Sequence, residues 1–484
     1  MVDFRIISKI IGSLLFIEAF FMGCCGAMSL SFHEDDLMAF MMSTMLTFSG
    51  AFIFLFFGRE AENSMSRRDA YVVVTLTWVV FSFFAMFPFL IHGSLTNITD
   101  AYFEAMSGFT TTGATVIDDV EQLPHGLLFW RSLMQWIGGL GIVFFTIAIL
   151  PSLVGGSVKV FAAEATGPMQ SKMHPRLSTS AKWIWSIYLL LTVACALSFW
   201  LAGMDWFGAT NYSMSTTATG GFSIHNGTIF LGSPLIEYLA ILFQFLAGIN
   251  FTLLYMSIFK FKIGTLFRNS EFKMYIITTL VATVWIMYLL ITRMDYHFEP
   301  AFRSALFQVV SFITTTGLSN IDAGTWPHIT WVILMFLMFM GACAGSTTGG
   351  FKSIRVLMLL KVLRNEFRHI LHPNAVLPVK MSGQSIPQSR LVTLLAFLTL
   401  YIIMLVAIAV IIYVSGVDIT NAVTISLSLV SNVGAGLDTN IGPVMSWADL
   451  SWGIKWLCSF LMLVGRLEII AVLVLFTRSF WKEN

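Results

Sequence analysis

Four times along this chain a hydroxyl-rich stretch closes on glycine: GFTTTGAT at 108–115, TATGGFS at 217–223, TTTGLSN at 314–320 and SNVGAG at 431–436. Aligned on Gly113, Gly220, Gly317 and Gly434, the copies lie 107, 97 and 117 residues apart. They mark an internal repeat, the feature that most restricts the architecture. The segments leading into the glycines share one build: DAYFEAMSGFTTTG, FGATNYSMSTTATG, SALFQVVSFITTTG and NAVTISLSLVSNVG. Small residues recur in their second column (Ala101, Gly208, Ala305, Ala422), and hydroxyls stand three before the glycine (Thr110, Thr217, Thr314, Ser431). A second glycine follows 28 residues on in three copies, as Gly141, Gly248 and Gly345, whereas Gly465 follows the fourth after 31.

Each copy sits between apolar runs. With 57% apolar residues, 11% charged residues and a mean hydropathy of +0.82, the chain is an integral membrane protein. Crossings are expected near 71–93, 129–150, 183–203, 235–258, 274–292, 328–343, 391–415 and 453–477, preceded by two extra helices near 7–30 and 37–57. The first apolar run continues through Met28 without a small-residue cleavage site, so it reads as a retained helix. The segment before each glycine, about a dozen residues, is too short to span and reads as a re-entrant helix. Non-helical backbone beyond it is tolerated at membrane depth only where it lines a water-filled cavity. The expected fold is therefore all-α: two N-terminal helices (1–66), then four tandem units of helix, re-entrant pore helix with filter, and helix (67–160, 161–265, 266–375, 376–484) around one pseudo-fourfold pore.

Charge sets the orientation. Of 27 Lys and Arg, 22 fall in the N-terminus and in connectors around 59–69, 151–182, 260–273, 352–390 and 478–484, which are cytoplasmic by the positive-inside rule. Four more lie on the opposite face with 16 of the 26 Asp and Glu, including Asp118, Asp119 and Glu121. An acidic outer mouth concentrates cations, although acidic residues also populate translocated loops generally.

A ring of backbone carbonyls with a few hydroxyls can replace the hydration shell of a monovalent cation. Directing successive carbonyls at one axis requires partly left-handed backbone, which glycine adopts without penalty. The expected filter is Thr111, Thr112 and Gly113; Ala218, Thr219 and Gly220; Thr315, Thr316 and Gly317; and Asn432, Val433 and Gly434. No Asp or Glu falls within the motifs, as a divalent-ion pore would be expected to show. The five cysteines sit singly in apolar runs or adjacent at 24–25, without disulfide or zinc spacing. GSTTGGFK at 345–352 approaches a phosphate-cradling loop, but Phe351 stands where that motif needs lysine. No catalytic arrangement emerges, and the chain reads as a non-enzyme.

Together these motifs, with GACAGSTTGGFK, GRLE at 465–468, AAEATGP and HPNAVLPVK, resemble the TrkH/KtrB/HKT superfamily of potassium transporters over nearly the whole chain. The two leading helices, which KtrB-like members lack, favour the TrkH branch. The resemblance implies K⁺ as the transported ion with no organic cofactor on the chain, location in the bacterial cytoplasmic membrane, and a homodimer. It also implies a TrkA-like cytosolic regulatory subunit that binds nucleotide, and no nucleic-acid partner. In HKT proteins a serine at the first filter glycine accompanies sodium permeation; here that residue is Gly113. The fourth filter departs from the others in carrying Asn432 and Val433.

Two features point to control of the pore. As one helix, Trp331 to Arg364 would be about 50 Å long against a core of about 30 Å, so it must break. GACAGSTTGG at 341–350 is the expected break, with Gly345, Ser346, Thr347, Thr348, Gly349 and Gly350 as a gating loop. Arg466 lies deep in LCSFLMLVGRLEIIAVLVLF, where an unpaired cation costs about 2.5 kcal/mol or more, so carbonyls of 345–350 are its expected partners. Glu468, two residues on and roughly 200° around the helix, is not expected to share the face of Arg466. Glu18 in the first helix has no assigned role. A cation-coupled secondary transporter also accommodates the broken helix and the buried arginine, but it predicts inverted rather than tandem units.

Overall fold

The computed structural model describes residues 2–61, 65–141, 177–226, 233–375, 377–437 and 446–482. The expected crossing at 129–150 beyond residue 141, most of the basic connector 151–182 and the AAEATGP stretch lie outside the described residues. Within them the chain is mostly helical, and its two short strands, Lys380–Met381 and Gln384–Ser385, pair as a small hairpin. Among the described residues six helices are long and apolar enough to cross a membrane: Phe4–Phe32, Leu37–Gly58, Arg68–His92, Ala181–Leu201, Ser270–Met294 and Gln388–Val414. Two sharply bent helix pairs bring the possible spans among the described residues to eight.

The four re-entrant pore helices are Ile98–Phe109, Trp206–Ala218, Phe298–Ile313 and Ile419–Ser431. At 12 to 16 residues they are about 18–24 Å long, short of the hydrocarbon thickness. Asn97, Asp205 and Asp418 cap three of them, each accepting a hydrogen bond from the first turn. All four carry their C-terminal ends, the negative pole of the helix dipole, to the filter.

The second crossings are less continuous than the apolar runs suggest. Breaks in the second and fourth units correct the expected single crossings at 235–258 and 453–477. Pro234–Ala247 meets Phe251–Ile258 at 105°, and Trp452–Arg466 meets the following helix at 114°. At the first break one helix ends at Ala247 and Asn250 caps the next, accepting from Thr252 N; at the other Glu468 adopts left-handed backbone, φ 63°. In the third unit the helix stops at Met340 and resumes at Ser353, so the break spans 341–352. In the first, helix His125–Gly139 ends just before Gly141, φ 87°.

The two leading helices form an antiparallel hairpin closed by glycines. A Cβ on Gly12 would lie 2.9 Å from Ala51 O and one on Gly58 2.5 Å from Lys9 N, so only glycine admits this approach. Both ends are pinned to the first unit. On the inner side Asp3 N donates to Asp69 (3.0 Å). On the outer side Glu34 and Asp36 accept from His125 N (2.6 Å) and Leu127 N (3.1 Å), and Phe32 stacks on His125 at 3.9 Å. These carboxylates satisfy N–H groups at the start of a helix that has no side-chain cap of its own. Asp36→Ala is therefore expected to cost about 1–2 kcal/mol, read as a lower unfolding midpoint in detergent, while Asp35→Ala, whose carboxylate is exposed, leaves the midpoint unchanged.

Candidate ion filter and the loop beneath it

Each pore helix ends in the same backbone device. Thr111, Thr219, Thr315 and Asn432 take left-handed φ of 52–54°, and the next residue's N–H turns back to a serine carbonyl: Thr112 to Ser107, Gly220 to Ser215, Thr316 to Ser311 and Val433 to Ser428, at 2.8–3.0 Å. The following glycine is again left-handed, at Gly113, Gly221, Gly317 and Gly434. A Cβ on Gly113 would stand 2.2 Å from Gly220 O, on Gly221 2.2 Å from Thr316 O, on Gly317 2.0 Å from Val433 O, and on Gly434 2.0 Å from Thr112 O. Each unit's glycine thus makes room for the next unit's carbonyl, and the fourth closes on the first.

This ring corrects the second filter by one residue. The triplet equivalent to Thr111–Gly113 is Thr219, Gly220 and Gly221, and Ala218 is the last residue of its pore helix, matching Thr110, Thr314 and Ser431. Two adjacent glycines left the alignment ambiguous. What decides it is which of them needs positive φ, and that is Gly221.

The ring is braced from behind. Glu104 of the first pore helix and Arg131 of the adjacent inner helix form a buried ion pair (2.8 Å). Glu104 also accepts from Val116 N (3.1 Å) and Thr115 Oγ1 (3.0 Å), and Arg131 donates to Ser223 O (2.8 Å). The pair therefore ties the outer ends of the first and second filters. Asn432 Nδ2 donates to Thr112 Oγ1 and Met462 O, both at 2.9 Å, linking the fourth filter to the first. Tyr401 and Ser431 share a hydrogen bond of 2.6 Å. An outer cavity of about 100 Å³ opens onto all four glycines, with Asp118 on its rim. Asp119 and Glu121 bond Asn226 and so staple the outer loops of units one and two. The Asn226 amide holds the Asp119 carboxyl below its usual range. Among the described residues no cluster of three or more His, Cys, Asp or Glu offers a resident metal site.

Directly inside the ring lies the broken segment of the third unit. Gly349 N donates to Thr315 Oγ1 (2.7 Å), Thr347 Oγ1 reaches Thr217 O (3.2 Å) and Thr219 Oγ1 (3.3 Å), and a Cβ on Gly349 would meet Ser431 O at 2.1 Å. The loop thus touches three of the four filters from below. Glu271 accepts from Ala344 N (2.6 Å), Asn250 donates to Ala344 O (2.6 Å), and buried Lys352 donates back to Thr348 O. Arg466 completes the arrangement, donating to Thr347 O (2.8 Å) and, from the first unit, to Gly138 O and Gly139 O (2.6 Å each). Of these three carbonyls, Thr347 O lies in the stretch expected from sequence, and Gly138 O and Gly139 O do not. Gly345 and Gly350, both left-handed, and Ser346 and Thr348, hydrogen-bonded to each other at 2.8 Å, shape the turn. Glu468 requires a correction: the helix ends at Arg466, so Glu468 does not face away. It borders the same cavity of about 80 Å³ as Arg466 and pairs with Arg355 (2.6 Å).

Comparison with known proteins bears on the whole of this arrangement. The TrkH family profile, described as a cation transport protein, matches residues 36–483. The chain belongs to the TrkH family. The potassium uptake protein TrkH of the Trk system in Salmonella typhimurium is 35% identical over 491 residues, covering 99% of this chain and 100% of that protein. TrkG of Escherichia coli, likewise named a Trk system potassium uptake protein, is 32% identical over 486 residues. The crystal structure of the potassium transporter TrkH from Vibrio parahaemolyticus superposes with a TM-score of 0.90 at 33% identity, covering 99% of this chain and all of that one. As a TrkH-family protein with bacterial relatives and this set of apolar helices, the chain is a multi-pass protein of the bacterial cytoplasmic membrane.

The corrected register in this TrkH-family chain is directly testable. Gly221→Ala would drive a Cβ into the Thr316 carbonyl, whereas Gly220→Ala meets only the Gln135 side chain. The first is expected to abolish cation flux in proteoliposomes and the second to retain measurable flux; the reverse order would restore the original alignment.

Proposed function

We propose that the chain conducts potassium inward across the cytoplasmic membrane, through the carbonyl ring of Thr111–Gly113, Thr219–Gly221, Thr315–Gly317 and Asn432–Gly434. The loop 341–352 acts as its gate. The observation that carries this reading is the closed cycle of glycine-to-carbonyl contacts with the loop seated against its inner side. Carbonyls supply partial charge suited to a weakly hydrated monovalent ion, and four pore-helix C-termini add favourable potential at the same point. The relatives' names, all potassium uptake proteins, agree in substrate. Four units whose pore helices all run into the filter from one side favour a pore over rocking between inverted halves.

Arg466 is the latch in this reading. It adds a positive charge beneath the filter and ties the loop to the first unit, which the loop does not itself reach through the filter. Charge-assisted hydrogen bonds contribute about 1.5–3 kcal/mol, so losing them shifts the closed state toward open by about tenfold or more. Arg466→Ala, or deletion of Ser346 to Gly349, is expected to raise K⁺ flux per folded molecule in the absence of any partner. Combining the two adds little, because both disrupt one latch. A fall in flux with folding verified would assign Arg466 a structural role.

Regulation would enter through the helix Ser353–Leu371, which continues directly from the loop. Its far half exposes Arg364 and Arg368 together with Leu363, Phe367, Ile370 and Leu371. A mixed basic and apolar surface fits a protein partner, here a cytosolic nucleotide-binding subunit, with a homodimer as the assembled state. The other half of the expected docking face, 159–182, lies mostly outside the described residues. Charge reversal of Lys361, Arg364 and Arg368 is expected to abolish co-purification with that subunit; retained binding would move the interface elsewhere.

A further inference from the structure

One member of the carbonyl ring differs from the other three in its surroundings. Gly220 O accepts a hydrogen bond from Gln135 Nε2 at 2.7 Å. Among the described residues no side chain donates to its counterparts, Thr112 O, Thr316 O and Val433 O. The amide orientation is fixed from both ends, because Gln135 Oε1 accepts from Phe222 N at 3.2 Å. Gln135 is buried in the first unit's inner helix, and its side chain fills the space a Cβ on residue 220 would occupy, 2.4 Å from Gln135 Cδ. The second filter is the one with glycine in place of Thr112, Thr316 or Val433. It has no side chain of its own at that position, and a neighbouring unit supplies one.

We infer that Gln135 is a specificity-determining positioning residue, which tethers the Gly220 carbonyl in the ring and so disfavours ions smaller than potassium. Two physical effects act in the same direction. A carbonyl restrained from behind cannot follow a smaller ion inward, and the amide hydrogen brings partial positive charge up to the same oxygen, lowering the field it offers. A small ion such as sodium needs both the inward shift and the stronger field to offset its dehydration. The flanking glycines make restraint necessary here, since Gly220 and Gly221 have more conformational freedom than the Thr–Gly and Val–Gly pairs of the other filters. The inference rests on the carbonyl ring being the filter.

The test is the K⁺/Na⁺ permeability ratio, read from bi-ionic reversal potentials in planar bilayers holding the full-length protein. Gln135→Leu removes both donor and acceptor and is expected to lower the ratio about 3- to 10-fold, the range of one neutral hydrogen bond. Gln135→Met, unbranched and of glutamine's length, stands in if the leucine variant does not fold. In Gln135→Glu a protonated carboxyl supplies the same donor, so at acid pH its ratio should exceed that of the apolar variants; a ratio equally low would overturn the inference. So would a wild-type ratio in a folded Leu or Met variant. Gly113→Ser separates this failure from failure of the filter reading, because a Cβ at Gly113 meets Gly220 O itself. If the ring is the filter, that variant lowers the ratio or stops flux; if it changes neither, the filter assignment falls and the inference falls with it.

Discussion

Four carbonyl oxygens brought to one axis repel one another, and in a bilayer no bulk water relieves them. Everything near the ring answers that constraint. The chain must leave its helix to aim the carbonyls, so each pore helix ends in a left-handed residue and a left-handed glycine. It must then satisfy the N–H groups thus released, which it does by turning Thr112, Gly220, Thr316 and Val433 back onto serine carbonyls. Buried side chains brace the result. Glu104 and Arg131 are worth holding together in a dry interior only because both have further hydrogen bonds to make, and these fall on the outer ends of two filters.

Below the ring the same constraint reappears in another form. The loop 341–352 is irregular backbone at membrane depth, so its polar groups need partners from elsewhere in the protein. They come from Glu271, Asn250, Thr315 and Arg466, drawn from all three later units. Lys352 turns back on the loop itself. Arg355, stacked 4.2 Å above Phe397 and paired with Glu468, carries the link onward into the helix that leaves the membrane domain. The flanks of the loop are packed, with Ala342 and Cys343 in an apolar cluster and Phe351 against Phe339 and Tyr401, whereas the stretch 345–350 beneath the ring is held by polar contacts, which exchange readily for water.

Much of this was legible in the residues. The repeat, the short pore helices, the glycines and the break at GACAGSTTGG follow from period, length and the cost of irregular backbone in lipid. What escaped did so for identifiable reasons. At Gly220 and Gly221 two glycines adjoin, and sequence does not say which must take positive φ. The break at Glu468 was hidden because a glutamate in left-handed backbone leaves no signature, and assuming a continuous helix then turned it away from Arg466. Gly138 and Gly139 stand more than 300 residues from the arginine they receive, a distance no local pattern bridges. Gln135 has a counterpart in Gln244, MQWIGG against FQFLAG, and nothing in the two sequences says which of them reaches a carbonyl of the ring.

The ring is cyclic in space but linear in the chain, and its four members are not copies. In a pore built from four identical subunits, any substitution enters four times and its effects multiply; here each carbonyl is encoded once. The second can be tethered by Gln135, and the fourth can carry an asparagine that reaches into the first, without altering the others. Selection can therefore adjust one quarter of the ion's coordination at a time, and a single codon change is diluted by three unaltered neighbours. The loop 341–352, the proposed gate, is likewise a single-copy element, so within this chain no averaging over subunits softens a change in it.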